Sequence, residues 1–261
     1  MEVLTPRSLE EALRLKAERP DAVPIQGGTD VMVDLNFDRA RPEALLNLNE
    51  VADLRGRSRE NGSLRLGSGL TYTEAMTLGE PLRALAEASR TVGGPQIRNR
   101  GTIGGNLGTA SPAGDALPPL LVYGAEVELA GPDGSRRVPL QEFIVGPKRN
   151  ALAEGELIVA ALVPKPGSRQ TFMKIGPRNA MVIAVVSLAM CVDEERYEIR
   201  VSFGSAGPVP GLVTGKLDEA DDLPERVAEA ASPIDDVRGT ARYRRHALQV
   251  LTSRALVRCL T

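Results

Sequence analysis

The chain has 261 residues, enough for one to three modest domains with buried cores, and a formal net charge of −2. Lysine plus arginine (32) nearly equals aspartate plus glutamate (34), so no surplus positive field exists to hold a nucleic-acid backbone, and nucleic acid is not an expected partner. The two cysteines, Cys191 and Cys259, lie too far apart in sequence for metal-ligand spacing, and the single histidine, His246, gives no Ser/His/Asp or Cys/His constellation.

In chain order, Met1-Glu2-Val3-Leu4-Thr5-Pro6-Arg7 has no apolar signal core. Ser8-Leu9-Glu10-Glu11 has the form of a capping box, and Leu9, Ala12, Leu13 and Leu15 supply an apolar face, which predicts a helix from about Ser8 to Glu18. A strand over Ala22–Gln26 then leads into Ile25-Gln26-Gly27-Gly28-Thr29-Asp30-Val31-Met32, read as strand, tight turn and helix start. Paired glycines at such a turn let backbone N–H groups converge on an anion. A further strand over Ala44–Leu48 closes a small α/β unit near Asp53.

The next unit opens with a strand at Leu64–Gly67 and a helix that Thr71 caps, with Glu74 completing the capping box. A helix over Leu82–Ser89 precedes the most distinctive stretch, Gln96-Ile97-Arg98-Asn99-Arg100-Gly101-Thr102-Ile103-Gly104-Gly105-Asn106-Leu107-Gly108, followed by Thr109-Ala110-Ser111-Pro112-Ala113-Gly114-Asp115. Its glycines, hydroxyls and amide read as a second anion-cradling loop, and two such loops suit a diphosphate, hence a nucleotide cofactor. Neither loop has Gly-x-Gly-x-x-Gly spacing, and Gly215-Lys216 is followed by Leu217, so a Rossmann NAD domain and a P-loop NTPase are both excluded.

Val122–Leu129 and Arg136–Leu140 flank Gly131-Pro132-Asp133-Gly134 as a predicted hairpin, Leu157–Val163 reads as a strand, and Pro164-Lys165-Pro166-Gly167-Ser168 reads as a linker. Beyond it come candidate strands at Thr171–Gly176, Val182–Cys191 and Glu198–Phe203, then helices over Leu223–Ala231 and Thr240–Leu260. The last helix puts Tyr243, Ala247, Val250, Leu251, Ala255 and Cys259 on one side and Arg242, Arg245, His246 and Arg258 largely elsewhere; that basic face either docks a partner or is solvated. The longest apolar run, Ala180–Val192, is too short to span a bilayer, so a cytoplasmic location with both cysteines as thiols is expected.

These motifs together resemble the FAD-binding (medium) subunit of molybdenum hydroxylases, the group containing carbon monoxide dehydrogenase and xanthine dehydrogenase. The matching segments are Gly27–Asp30, Arg98–Asn106, Ser111–Asp115, Gly155–Ile158 running to Pro164, Phe172–Arg178 and Asp236–Arg245, nearly the whole chain. The resemblance implies an α+β fold: an FAD-binding fold of the vanillyl-alcohol-oxidase/PCMH type in two subdomains, residues 1–53 and 54–166, plus a C-terminal α/β domain, 167–261. It implies FAD as the cofactor, with Ile25, Gln26, Gly27, Gly28, Thr29, Asp30, Val31 and Met32 at the pyrophosphate and Thr102, Ile103, Gly104, Gly105 and Asn106 in the second loop. Asp115 is implied at the cofactor's polyol, Ile158 (or Leu157, one residue away) near the isoalloxazine ring, and Lys174 as a cation reaching the flavin.

No residue of this set is a catalytic acid, base or nucleophile, and no metal site is expected in the chain. The resemblance therefore implies an electron-transfer subunit whose partners are an iron–sulfur small subunit with two [2Fe-2S] clusters and a large subunit holding molybdopterin–molybdenum, assembled as a dimer of heterotrimers. A flavin-free scaffold subunit of the same complex and a self-sufficient FAD oxidoreductase stand as alternatives.

Overall fold

The computed structural model describes every residue from Met1 to Thr261. The N-terminal part is a three-stranded parallel sheet in the order β1-β3-β2, made of β1 (Glu2–Leu4), β2 (Val23–Ile25) and β3 (Ala44–Asn47), with α1 (Leu9–Glu18) and α2 (Val31–Asn36) as crossovers. The Ser8 hydroxyl accepts the Glu11 N–H at 3.1 Å and starts α1 where the sequence predicts. As the central strand, β3 buries Ala44, Leu45 and Leu46 in succession, as expected of a parallel strand covered on both faces.

The middle part runs β4 (Arg57–Glu60), β5 (Ser63–Gly67), α3 (Tyr72–Ala75), α4 (Arg83–Thr91), α5 (Pro95–Arg100), α6 (Ile103–Thr109), α7 (Leu117–Val122), β6 (Glu126–Gly131), β7 (Gly134–Pro139), α8 (Leu140–Phe143), β8 (Ile144–Gly146), β9 (Arg149–Asn150) and β10 (Leu157–Val163). Its antiparallel sheet has the order β4-β5-β10-β6-β7. The Thr71–Glu74 capping box forms at α3, with the Glu74 carboxylate accepting the Thr71 N–H at 2.8 Å.

The C-terminal part is a four-stranded antiparallel sheet in chain order, β11 (Arg169–Ile175), β12 (Val186–Asp193), β13 (Glu198–Gly204) and β14 (Gly211–Lys216), followed by α9 (Leu223–Ala230) and α10 (Ala241–Leu260). Every residue from Val186 to Val192 is buried because the strand alternates between two cores: Ala189 and Cys191 join the middle core, while Leu188, Met190 and Val192 join the core under α9 and α10. Both cysteines are unpaired and buried, and burial pushes their thiols up to about 12 for Cys191 and about 11 for Cys259. No helix is long and apolar enough to cross a membrane.

The structure departs from the sequence reading at several elements. The glycine-rich stretch is not a loop but two short helices, α5 and α6. Val122 ends a helix instead of opening a strand, because Pro118 and Pro119 occupy the first turn of α7, where a missing N–H costs nothing. Residues 182–185 lie outside β12. The unforeseen β4 is an edge strand of exposed or half-buried polar residues, Arg-Ser-Arg-Glu, with no apolar alternation to betray it. On α10 the expected apolar Tyr243 is half exposed, and Arg244 is the buried residue.

Both terminal nitrogens of the buried Arg244 find specific partners, while its Nε has none. The guanidinium donates to Asp236 Oδ1 at 2.5 Å, to Val185 O at 3.0 Å and to Ser205 O. Burial alone would raise the Asp236 carboxyl, but hydrogen bonds from the Arg238 guanidinium and backbone N–H and from Arg244 outweigh it and hold the group at about 2, below its ordinary 3.8. Because the folded value is depressed, the stability it contributes is present above about pH 4 and is lost as pH falls through about 2. Calorimetric melting from pH 6 to pH 2 is expected to show Asp236→Asn destabilised by roughly 1–2 kcal/mol at the upper end, given its partial exposure, with the deficit closing near pH 2.

Candidate functional site

The first glycine loop leaves β2 at Ile25 and enters α2 at Val31. Gly28 holds φ at +74°, a left-handed turn that L residues adopt with strain. No acceptor in the chain takes the backbone N–H of Gln26, Gly27, Gly28, Thr29 or Asp30, although Gln26 to Thr29 are all half-buried. A run of unaccepted N–H donors at a turn is the physical requirement for holding an anion. Val31 and Met32 belong to α2, where the Met32 N–H is already given to Gly28 O at 2.9 Å.

The second glycine stretch is built differently. Thr102 is the N-cap of α6 and its hydroxyl accepts the Gly105 N–H at 2.9 Å, while Ile103 donates to Leu70 O at 2.9 Å, Gly104 to Ser68 O at 2.8 Å and Asn106 to Thr102 O at 3.0 Å. The expectation that backbone donors from both stretches face one anion is therefore corrected. At α6 the donors of Ile103 to Asn106 are used up in packing, and the donors that remain free belong to the first loop.

The α6 glycines have distinct roles. Gly104 is buried, and a Cβ there would stand 2.7 Å from Ser68 O and closer still to Ser68 Cβ. Gly105 is exposed, with only the Thr102 hydroxyl, at 3.2 Å, near a would-be Cβ. Gly108 faces the Ile158 Cδ1 atom at 3.6 Å from its would-be Cβ, so Ile158 is the residue of β10 that meets α6; Leu157 is buried in the N-terminal core. The half-buried Asn106 has its Oδ1 atom shielded from solvent and without a partner.

Direct contacts join the two stretches. Thr109 Oγ1 donates to Asp30 Oδ2 at 2.8 Å, and a Cβ on Gly27 would stand 3.0 Å from Gly101 Cα and closer to Arg100 O. Asn150 Nδ2 supports the far end of α6 through Gly108 O at 2.8 Å. Thr109 was within reach of sequence reading, since it follows the glycine run directly; Asn150 carried no signal.

Asp115 and Lys174 form a second group. Lys174 Nζ donates to Asp115 Oδ2 at 2.5 Å and to Thr91 O at 3.1 Å, with both side chains more than nine-tenths buried. Desolvation pushes the Asp115 carboxyl up and the Lys174 charge opposes it, while Asp115 Oδ1 has no partner. The two residues form one ion pair that leaves a single buried acceptor, Asp115 Oδ1, free. Tyr72 lies between the groups: burial raises its phenol well above the ordinary range, and the charges of Asp115 and Asp30 add to the effect.

A groove of about 470 Å³ between α9 and α10 lies apart from these residues. Its walls carry Arg242, Arg245 and His246 on one side and Glu225 and Glu229 on the other, so the basic face of the last helix is met by carboxylates.

Residues 1–166 match the family model described as the FAD binding domain in molybdopterin dehydrogenase. Among curated proteins, the chain is 32% identical over 269 residues to the xanthine dehydrogenase FAD-binding subunit of Escherichia coli O157:H7, covering 95% of this chain and 92% of that one. It is 31% identical over 274 residues to the carbon monoxide dehydrogenase medium chain of Afipia carboxidovorans, covering 97% and 94%. Among solved structures, a chain of the reconstituted CO dehydrogenase from Oligotropha carboxidovorans superimposes with a TM-score of 0.92 at 26% identity over 99% of this chain and 97% of that one. A chain of quinoline 2-oxidoreductase from Pseudomonas putida 86 gives 0.90 at 25%, covering 99% and 96%.

The geometry separates two neighbouring glycines by experiment. Gly104→Ala is expected to destabilise the fold by about 1–3 kcal/mol through overpacking on Ser68, while Gly105→Ala, whose Cβ on an exposed helix face would meet only the Thr102 hydroxyl at 3.2 Å, is expected to change stability by less than about 1 kcal/mol. Urea unfolding of both variants checks the contrast.

Proposed function

The chain belongs to the family of FAD-binding domains of molybdopterin dehydrogenases, and from that premise we propose that it is the electron-relay subunit of a molybdenum hydroxylase complex. Electrons reach its FAD from two [2Fe-2S] clusters on a small partner subunit and leave to an external acceptor; substrate is hydroxylated at molybdopterin–molybdenum on a large partner subunit. The relatives, an FAD-binding subunit and a medium chain, support a place in a multi-subunit complex. We place that complex in the cytoplasm as a dimer of heterotrimers. The division into residues 1–53, 54–166 and 167–261 is part of the same reading.

The observation that carries the proposal is the run of unaccepted backbone N–H groups from Gln26 to Asp30 around a left-handed Gly28. These donors suit the oxygens of a pyrophosphate, to which a backbone contributes no competing negative charge. Gly105, lacking a side chain on an exposed helix face, leaves room for close approach. The shielded acceptors Asn106 Oδ1 and Asp115 Oδ1 suit hydroxyl or N–H donors, which a flavin dinucleotide carries. Ile158 supplies an apolar surface. Donors for the anion and acceptors for the neutral polar parts are therefore both present, and the residues fit the cofactor.

FAD, when bound, supplies reversible uptake of two electrons. The residues fix where it sits and how readily it is reduced. Lys174 places a positive charge in a buried setting, and Asp115 both holds that charge in position and partly cancels it. A cation near the ring favours the reduced, anionic form, so Lys174 raises the reduction potential.

The purified chain with added FAD is expected to show a two-banded visible flavin spectrum at stoichiometric occupancy; a preparation that retains none would support the scaffold alternative. Gly28→Val, strained at its positive φ, is expected to lower FAD retention at least tenfold, measured by absorbance after gel filtration. Lys174→Met is expected to lower the flavin midpoint potential in spectroelectrochemical titration, with Lys174→Arg restoring most of it. An unchanged potential in Lys174→Met would remove the lysine from the site.

A further inference from the structure

Of the four tyrosines in the chain, Tyr197 and Tyr243 are about half exposed, and the buried Tyr123 uses its hydroxyl fully, donating to Gln170 Oε1 at 2.7 Å and accepting the Leu85 N–H at 3.1 Å. Tyr72 is different. Only 5% exposed, it donates its O–H to no acceptor of the chain. A buried donor left unpaired carries a desolvation cost, so its placement needs a cause.

Backbone contacts fix that placement. Tyr72 opens α3, directly after the Thr71 N-cap and its capping box. Its N–H donates to Gly101 O at 3.0 Å, within a short pairing in which Gly104 donates to Ser68 O, Ile103 donates to Leu70 O and Thr71 lies opposite Thr102. The ring rests on Gly101, where a Cβ would stand 3.1 Å from the ring Cδ2 and 3.2 Å from Cε2. The same glycine meets the first loop, its Cα 3.0 Å from a would-be Cβ on Gly27. One glycine therefore touches both the Tyr72 ring and the anion-holding turn, and a ring held at this junction cannot swing its hydroxyl to a distant acceptor.

The carboxylates that act on the phenol are Asp115 and Asp30, and together with burial they hold it above its ordinary ionisation range, so it stays a neutral O–H donor. Neither carboxylate accepts its hydrogen bond. Asp30 Oδ2 accepts from Thr109 and Asp115 Oδ2 from Lys174, while Asp115 Oδ1, sealed from solvent, has no partner. An unpaired donor and an unpaired acceptor, near enough for charge to act between them yet too far apart to bond, define a polar gap. Tyr72 Oη is not sealed as Asp115 Oδ1 is, so the gap is open to an occupant. A group that fills it must accept from the phenol and donate to the carboxylate. An alcohol does both through one oxygen, whereas an ionised phosphate oxygen has no proton to give and would face the carboxylate charge.

We propose that Tyr72 is a further cofactor-binding residue, its hydroxyl donating to a ribityl hydroxyl of FAD that in turn donates to Asp115 Oδ1. The inference rests on the FAD reading of the site and adds to it a neutral donor on the flavin side of the anion-holding turn.

The test titrates the full chain, wild type and Tyr72→Phe, with FAD and with FMN by flavin fluorescence, and melts each protein with and without FAD. Phenylalanine keeps the ring against Gly101 and removes only the oxygen. Tyr72→Phe is expected to raise Kd for both flavins by roughly three- to tenfold. Without flavin the variant is expected to melt at the same or a higher temperature, because it no longer holds an unpaired donor, so the rise in Tm on loading FAD shrinks. Equal Kd values in the two proteins would overturn the proposal in favour of an ordered water in the gap. A variant destabilised as much without flavin as with it would overturn it in favour of a role in the fold, and a loss with FAD but not with FMN would move the contact to the adenosine side. A wild-type chain that binds neither flavin sinks the FAD reading itself, whereas a wild-type chain that binds FAD no better than Tyr72→Phe sinks only the assignment of Tyr72.

Discussion

Gly104 rests on the backbone of Ser68, Gly27 rests on the backbone of Arg100 and Gly101, and Gly69 rests on Leu54 O and the Gln26 side chain. None of these approaches leaves room for a Cβ. Together they bring the end of β2, the turn after β5 and the start of α6 to within backbone contact, although 75 residues separate Gly27 from Thr102 in sequence. Placement of the free donors of the first loop depends on that constraint. The α6 backbone, by spending its own N–H groups on Ser68, Leu70 and Thr102, becomes the rigid wall against which the first loop is set.

A second junction ties the C-terminal sheet to the middle part, and it is polar. Lys174 on β11 pairs in register with Ser187 on β12, which pairs with Gly204 on β13, so the three share one row on the face turned toward α7. Asp115, just before α7, meets that row through Lys174, and the Ser205 N–H reaches Pro112 O at 2.8 Å. A buried ion pair is weak as a source of stability, since desolvation offsets most of its attraction. Its physical effect is positional: an ammonium group held by a carboxylate and the Thr91 carbonyl cannot wander, and a fixed charge in a dry setting acts strongly on whatever lies beside it.

Much of this was legible in the residues. The capping boxes at Ser8 and Thr71 place helix starts correctly because they are local hydrogen-bond chemistry, and the long apolar β12 is visible as a continuous run. The first glycine loop is visible for the same local reason, a turn that only glycine enters easily. The fold type and the FAD-binding family follow from ordered motifs spread over the chain. The second glycine stretch misled, because glycines that permit a loop also permit a helix to press against another backbone, and only the neighbour's position separates the two. The burial of Arg244 carried no signal, since an arginine on a helix is ordinarily solvated and its buried partners, Val185 O and Ser205 O, are main-chain atoms without a sequence signature.

By itself, then, the sequence determined the elements whose causes lie within a few residues: caps, the tight turn at Gly28 and apolar periodicity. Tertiary structure alone decided which donors stay free, that Asp115 is committed to Lys174, and that Ile158 and not Leu157 meets α6. The division has one physical reason. Local hydrogen bonding is encoded by adjacent residues, whereas the use or freedom of a polar group depends on what distant backbone happens to arrive beside it.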